Sequence, residues 1–188
     1  MTEARLTMLN ASDANWPAQL SKRLGAATPA LLRALGPVTL LKARKTALFC
    51  SARSPGTAIL RAHDAARRMR DEGVTVISGF HSPIEKECLQ ILLRGQQPII
   101  VCPARAIEAM RIPTECRAAF DAGRVLLLSP FARVLKRITK DSAARRNEFV
   151  AALADKAYVA HAAPGGQTAR TIELLRGWGV PSVVGTDL

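Results

Sequence analysis

EGVTVISGFHSPIEKECLQILLRGQQPIIVC, residues 72–102, reads as one complete strand, helix and strand unit. Val74 to Ser78 is a short apolar run, and Ser78, Gly79, Phe80, His81 and Ser82 form a turn built largely of small residues. Ser82 with Glu85 three residues on is a capping-box pattern, and Pro83 stands at the first helical position, so a helix starts here. Ile84, Cys88, Ile91 and Leu92 form its apolar stripe, Gly95 closes it, and Pro98 to Cys102 is the next apolar run. Two such runs joined through a helix predict parallel strands, because a parallel pair needs a long crossover.

The same alternation extends in both directions. Further apolar runs span Thr46 to Cys50, Arg124 to Leu128, Lys156 to His161 and Pro181 to Val184. They are apolar at alternate and intervening positions alike, which suits strands covered on both faces. Ile59, Ala62, Ala66 and Met69 repeat at helical spacing after the first run, with Gly73 as the stop and the arginines at 61, 67, 68 and 70 as a solvated face. Residues 103–123 read as a loop and a short helix. Residues 1–45 show no long period and contain Pro17, Pro29, Gly36 and Pro37. They read as a short helical N-terminal extension anchored by Trp16, Leu20, Leu24, Leu32 and Leu35, leaving 46–188 as the core domain. The expected fold is therefore α/β, a doubly wound and mostly parallel sheet flanked by helices.

The 188 residues are 48% hydrophobic and 22% charged, a globular balance that excludes a largely disordered chain. Lys and Arg number 27 against 15 Asp and Glu, a net charge of +12, which makes polyanions the natural partners unless the surface is simply basic all over. Distribution decides between the two, and Arg133 to Arg146 holds Arg133, Lys136, Arg137, Lys140, Arg145 and Arg146 against the single acid Asp141. Arg146 shares a helical face with Val150 and Leu153, which turns it toward the buried side, where a charge needs an anionic partner. The four cysteines have neither CxxC nor metal-ligand spacing, and read as reduced, buried thiols with no metal. No secretory leader and no bilayer-length apolar run is present, so a soluble, cytoplasmic protein without membrane partners is expected.

In a doubly wound sheet, ligands bind beyond the carboxyl ends of the strands, where helix N-termini point free N–H groups outward. Three turns lie there. Cys50 to Gly56 offers Ser51 and Arg53, and Ser78 to Ser82 offers Gly79 beside Phe80 and His81. Ala162 to Thr168, with Gly165 and Gly166, is the best phosphate cradle, because paired glycines permit the conformations that aim successive N–H groups at an anion. Catalysis has less support: there is no nucleophile elbow and no paired-carboxylate spacing near His81, Glu85, Glu87, His161 or Glu173. Phe80 and Phe131 fit either the core or stacking on bases.

In this order the segments resemble the DNA-processing protein A family, also called DprA or Smf. The resemblance runs from Trp16, Pro17, Leu20, Pro29, Leu32 and Gly36 through CSARSPG at 50–56 and EGVTVISGF at 72–80. Its most specific part is RRNEFVAALADKAYVAHAAPGGQTA at 145–169. It implies a Rossmann-like core, homodimerisation, binding of single-stranded DNA along a basic pocket, and loading of RecA in recombination and DNA-mediated transformation. By position it implies a pocket lined by Arg53, Ser78, Gly79, Arg146, Asn147, Gly166 and Thr168, with Lys136, Arg137 and Lys140 as auxiliary phosphate contacts. Ser51 and Gly165 join that set from the turn chemistry. No cofactor is implied.

The chain departs from the family pattern at Cys50, at Ser82 to Glu85 and at Glu148. Pro164, Gly165, Gly166, Thr168 and Glu173 also loosely resemble the glycine motif of LOG-like nucleoside monophosphate phosphoribohydrolases. In that reading Glu173 is the catalytic acid. A nucleotide-sensing module without catalysis is the third reading.

Overall fold

The computed structural model describes residues 6–108, 110–132 and 137–185. Eight strands form one sheet: β1 Leu6–Leu9, β2 Leu32–Leu35, β3 Lys45–Cys50, β4 Thr75–Ser78, β5 Ile99–Val101, β6 Val125–Ser129, β7 Lys156–His161 and β8 Ser182–Val184. Their order is β1-β2-β6-β5-β4-β3-β7-β8. The six strands from β3 onward are parallel, as the crossover reading requires. Six helices accompany them: α1 Gln19–Leu24, α2 Gly56–Asp71, α3 Pro83–Leu93, α4 Arg117–Asp121, α5 Lys140–Leu153 and α6 Gln167–Gly177.

The alternation of strand side chains sorts the core into two layers. Leu48, Val76, Ile99, Val101, Val125 and Leu127 face the layer that holds buried residues of α2, α3 and α4. Their neighbours Ala47, Phe49, Ile77, Ile100, Leu126 and Leu128 face the layer of α1, α5 and α6. A one-residue slip in any strand would exchange the two sets, so the pattern pins the register. In α2 the buried positions are Ala58, Ala62, Ala65, Ala66 and Met69, small enough to seat the helix close on the sheet. Gly73 takes φ +70° just after α2, the left-handed stop expected from the sequence.

The N-terminal segment is not only helical. It supplies α1, two short 3-10 turns and also β1 and β2, which pair antiparallel with each other and then with β6, making the sheet mixed. Leu32 and Leu35 are three apart, a spacing that suits one helical face as well as a four-residue strand. Tertiary pairing to β6 settles it. Gly36, at φ +108°, then turns the chain so closely past the sheet that a Cβ would meet the Val125 carbonyl at 2.5 Å. Arg61 is not simply solvated, since its guanidinium donates to the Gly185 carbonyl while its own carbonyl accepts from the Tyr158 hydroxyl at 3.2 Å. Among the described residues no helix is long and apolar enough to cross a membrane.

All four cysteines are free and buried. Burial pushes the thiols of Cys88 and Cys102 up to about 12 and that of Cys116 to about 11, from an ordinary 9.0. An unfolded chain releases these protons near pH 9 while the folded one keeps them. The stability they contribute is therefore complete below pH 9 and is lost as pH rises toward 12. Urea midpoints should fall between pH 9 and 11, with a shallower fall in Cys102→Ala. Parallel curves for the two proteins would refute this.

Candidate functional site

From β3 the chain proceeds to β4, β5 and β6 on one side, then returns to the other side of β3 with β7. That reversal opens a crevice beyond the carboxyl ends of β3 and β7, the place where open α/β sheets bind ligands. The turns that follow these two strands are tied together. The N–H of Ser51 donates to the His161 carbonyl at 3.0 Å, and the Ser51 hydroxyl accepts from the N–H of Ala163 at 2.9 Å. Ser54 closes the first turn by donating to the Ser51 carbonyl at 2.9 Å. Ser51 thus braces the crevice, while Arg53 stands exposed at its rim.

The helices that start at these turns are left open. α2 begins after Pro55 and α6 after Gly166, and neither has a side-chain cap. Gly165 takes φ +68°, and the N–H of Gly166 is used within the turn, on the Ala163 carbonyl at 3.0 Å. The first-turn N–H groups of α6 are therefore available to an anion. Thr168, in that first turn, is buried.

α3 and α5 differ. Thr139 and Ser142 form a reciprocal cap at the start of α5. At α3 the capping box of Ser82 and Glu85 forms as the sequence indicated, but Glu85 reaches further than a cap. Its carboxylate accepts from the N–H groups of His81 at 2.9 Å, Ser82 at 3.2 Å and, across the sheet, Cys50 at 3.1 Å. The β4 turn is thus already filled by a carboxylate of the chain. Ser78 is fully buried, donating to the Leu48 carbonyl at 2.7 Å and accepting from the N–H of Phe80 at 3.3 Å. It shapes the turn and does not face the crevice.

Gly79 meets Arg146. α5 carries Arg146 toward the sheet with only 4% of the residue exposed, and its guanidinium lies where a Cβ of residue 79 would be. It donates through Nε to Asn147 Oδ1 at 2.8 Å and through Nη1 to the Cys102 carbonyl at 3.3 Å. Among the described residues no carboxylate oxygen lies within 4.0 Å of it. Burial pushes its pKa down, with the field of Glu85 acting in the opposite direction. A guanidinium stays charged regardless, so the cost of burial is borne by a cation short of a counter-ion.

Beyond Arg146 lies a cavity of about 330 Å³, walled by Phe80, Met110 and Ile138 with His81, Lys86 and Arg105 among its polar lining. Burial, then the charges of Arg146 and Lys86, lower the pKa of His81, so its ring is neutral at pH 7. Lys86 and Arg105 were not singled out from the sequence. The turn after β5, Pro103 to Arg105, also sits at a carboxyl end and was the available signal. A larger cavity of about 450 Å³, lined by Thr46, Lys156 and Pro181, lies at the amino ends of β3, β7 and β8, away from these turns.

The remaining candidates scatter. Arg137 and Lys140 are exposed just before and at the start of α5, and Lys136 lies outside the described residues, as does Arg133. Glu173 is exposed in the second turn of α6 and makes no hydrogen bond among those found. Phe131 is buried beneath Arg145, whose guanidinium carbon is 5.6 Å from the ring centroid, so its face is taken.

A model of the family described as DNA recombination-mediator protein A matches residues 7–177. The chain belongs to this family. Its fold is similar to DNA processing protein A from Streptococcus pneumoniae, with TM-score 0.79 and 20% identity over 96% of this chain and 62% of that one. DNA processing protein A from Helicobacter pylori, whose single-stranded DNA binding mode has been described structurally, matches with TM-score 0.77 and 19% identity over 97% of this chain and 81% of that one. The molybdenum cofactor binding protein of Rippkaea orientalis matches at TM-score 0.54 and 10% identity, over 76% of each chain. At these identities the likeness is one of fold. The chain spans 62% of the length of the S. pneumoniae protein. No curated protein matches.

Gly79→Ala is a direct probe of this packing. The atoms that must give way belong to the far end of the Arg146 side chain rather than to backbone, so the variant should fold with a loss of at most about 2 kcal/mol. A crystal structure should show the guanidinium displaced from the Cys102 carbonyl. Retention of that bond would refute the packing argument.

Proposed function

We propose that the chain binds single-stranded DNA through its backbone phosphates, in the crevice between the β3 and β7 turns and on Arg146, and serves DNA recombination as a binding protein without catalysis. The observations that carry this are a buried arginine at the β4 and β5 turns, lacking a carboxylate among the described residues, and two uncapped helix N-termini, α2 and α6, at the adjacent switch point of the sheet. Such a site takes phosphate and carries no base-reading code, so binding is independent of sequence. Family membership supports DNA as the phosphate source. So does the run of basic residues Arg137, Lys140, Arg145 and Arg146 along the chain into α5. Asn147 holds Arg146 in place rather than meeting the strand itself. The wider role, a homodimer that hands the strand to RecA in the cytoplasm, rests on the family pattern and belongs to this proposal.

Phosphate neutralisation makes binding steeply salt dependent. A fluorescent oligonucleotide titrated at two salt concentrations should bind more weakly at the higher one. Arg53→Ala should lower the log–log salt slope by about 0.7, the share of one phosphate contact on a single strand. Arg146→Lys should weaken binding about tenfold or more at unchanged melting temperature, since a point charge replaces a planar fork. No binding at low salt, or full competition by AMP at equal phosphate concentration, would overturn the DNA reading.

A further inference from the structure

Glu85 is 6% exposed, carries a carboxylate, and has no basic side chain within salt-bridge distance among the described residues. What it holds instead is a set of three backbone N–H groups from two places, Cys50 at the end of β3 and His81 and Ser82 in the turn after β4. Converging main-chain donors at the start of a helix are the usual equipment of an anion site. Here they close on a side chain of the protein. The neighbouring cation, Arg146, feels the Glu85 charge without touching it. At the other turns the donors are left open, since α2 and α6 have no side-chain caps.

We propose that Glu85 is a resident anion, a positioning residue that occupies the phosphate-type position at the start of α3 and so confines the ligand's phosphates to Arg146 and the open N-termini of α2 and α6. This rests on reading the crevice as a phosphate site. Two consequences separate it from a role in turn stability alone. The carboxylate repels any phosphate placed on Arg146, so wild-type affinity is held below what the donors and the guanidinium alone would give. The amides of His81 and Ser82, being already engaged, do not respond to ligand.

The test uses inorganic phosphate and an oligonucleotide as separate probes on the full chain. Glu85→Gln keeps the size and an acceptor oxygen but removes the charge. It should tighten binding of inorganic phosphate by about three- to tenfold, the scale of one unit charge acting across a partly screened crevice. Glu85→Asp keeps the charge and loses reach, and should not tighten binding. A purely structural Glu85 predicts weaker binding in both variants, in step with a lower melting temperature, and that result overturns the proposal.

If phosphate tightens in Glu85→Gln and the oligonucleotide does not bind, the resident-anion role stands and the DNA reading fails. Should Glu85→Gln not fold, the wild-type chain still decides through amide chemical shifts during a phosphate titration. Movement at Gln167, Thr168 and Ala169 with His81 and Ser82 stationary supports the role, and comparable movement at His81 and Ser82 overturns it.

Discussion

The packing of the Arg146 guanidinium against Gly79 constrains everything around it. A cation that is 4% exposed needs compensation, and the described residues supply an amide oxygen, a carbonyl and the distant charge of Glu85. For the guanidinium to reach that position, residue 79 must lack a Cβ. The α5 helix must also sit low enough over β3 and β4 to deliver it, and the buried Phe149, Val150 and Leu153 on the same helix set that depth. Ordinary core packing therefore holds a costly charge where solvent does not relieve it.

Much of this was legible in the sequence because the parallel core depends on local patterns. The unit of β4, α3 and β5 was visible at residues 72–102, and its capping box formed as expected. The β3 run was read from Thr46, whereas the strand starts at Lys45. A lysine reads as surface, but this one is buried, with Nζ donating to the Leu41 and Ala43 carbonyls at 2.9 and 2.7 Å. β1 and β2 were hidden for a different reason. Four residues are too few to show a period, and their identity as strands comes from pairing with β6, which is distant in sequence. Arg33, in the middle of β2, finds its partner in Glu108 at 2.5 Å, another contact that no local window contains.

The site was legible in outline and not in detail. Glycine turns and a basic helix pointed to the carboxyl edge of the sheet, because those features follow from backbone chemistry at strand ends. Which donors were free did not follow. The turn at Ser78 to Ser82 reads as a ligand turn beside the better cradle at Ala162 to Thr168, yet a side chain seven residues beyond Ser78 fills the first, while α6 after the second has no side-chain cap. A capping box gives the reach of Glu85 to its own helix, but not to the N–H of Cys50 on a neighbouring strand.

The four longer helices divide accordingly into two kinds. Those starting away from the switch point, α3 and α5, satisfy their own N-termini and contribute side chains; those starting at it, α2 and α6, leave theirs unsatisfied. Leaving a helix end open costs stability of roughly 1 kcal/mol against a good cap, and both open ends lie on one crevice. The tie between Ser51 and Ala163 keeps the two turns together and fixes the distance between those ends. A pair of open N-termini held together in this way suits an extended chain of phosphates better than a single one. Each open end can meet a different phosphate, and the spacing between them is set by the sheet rather than by the ligand.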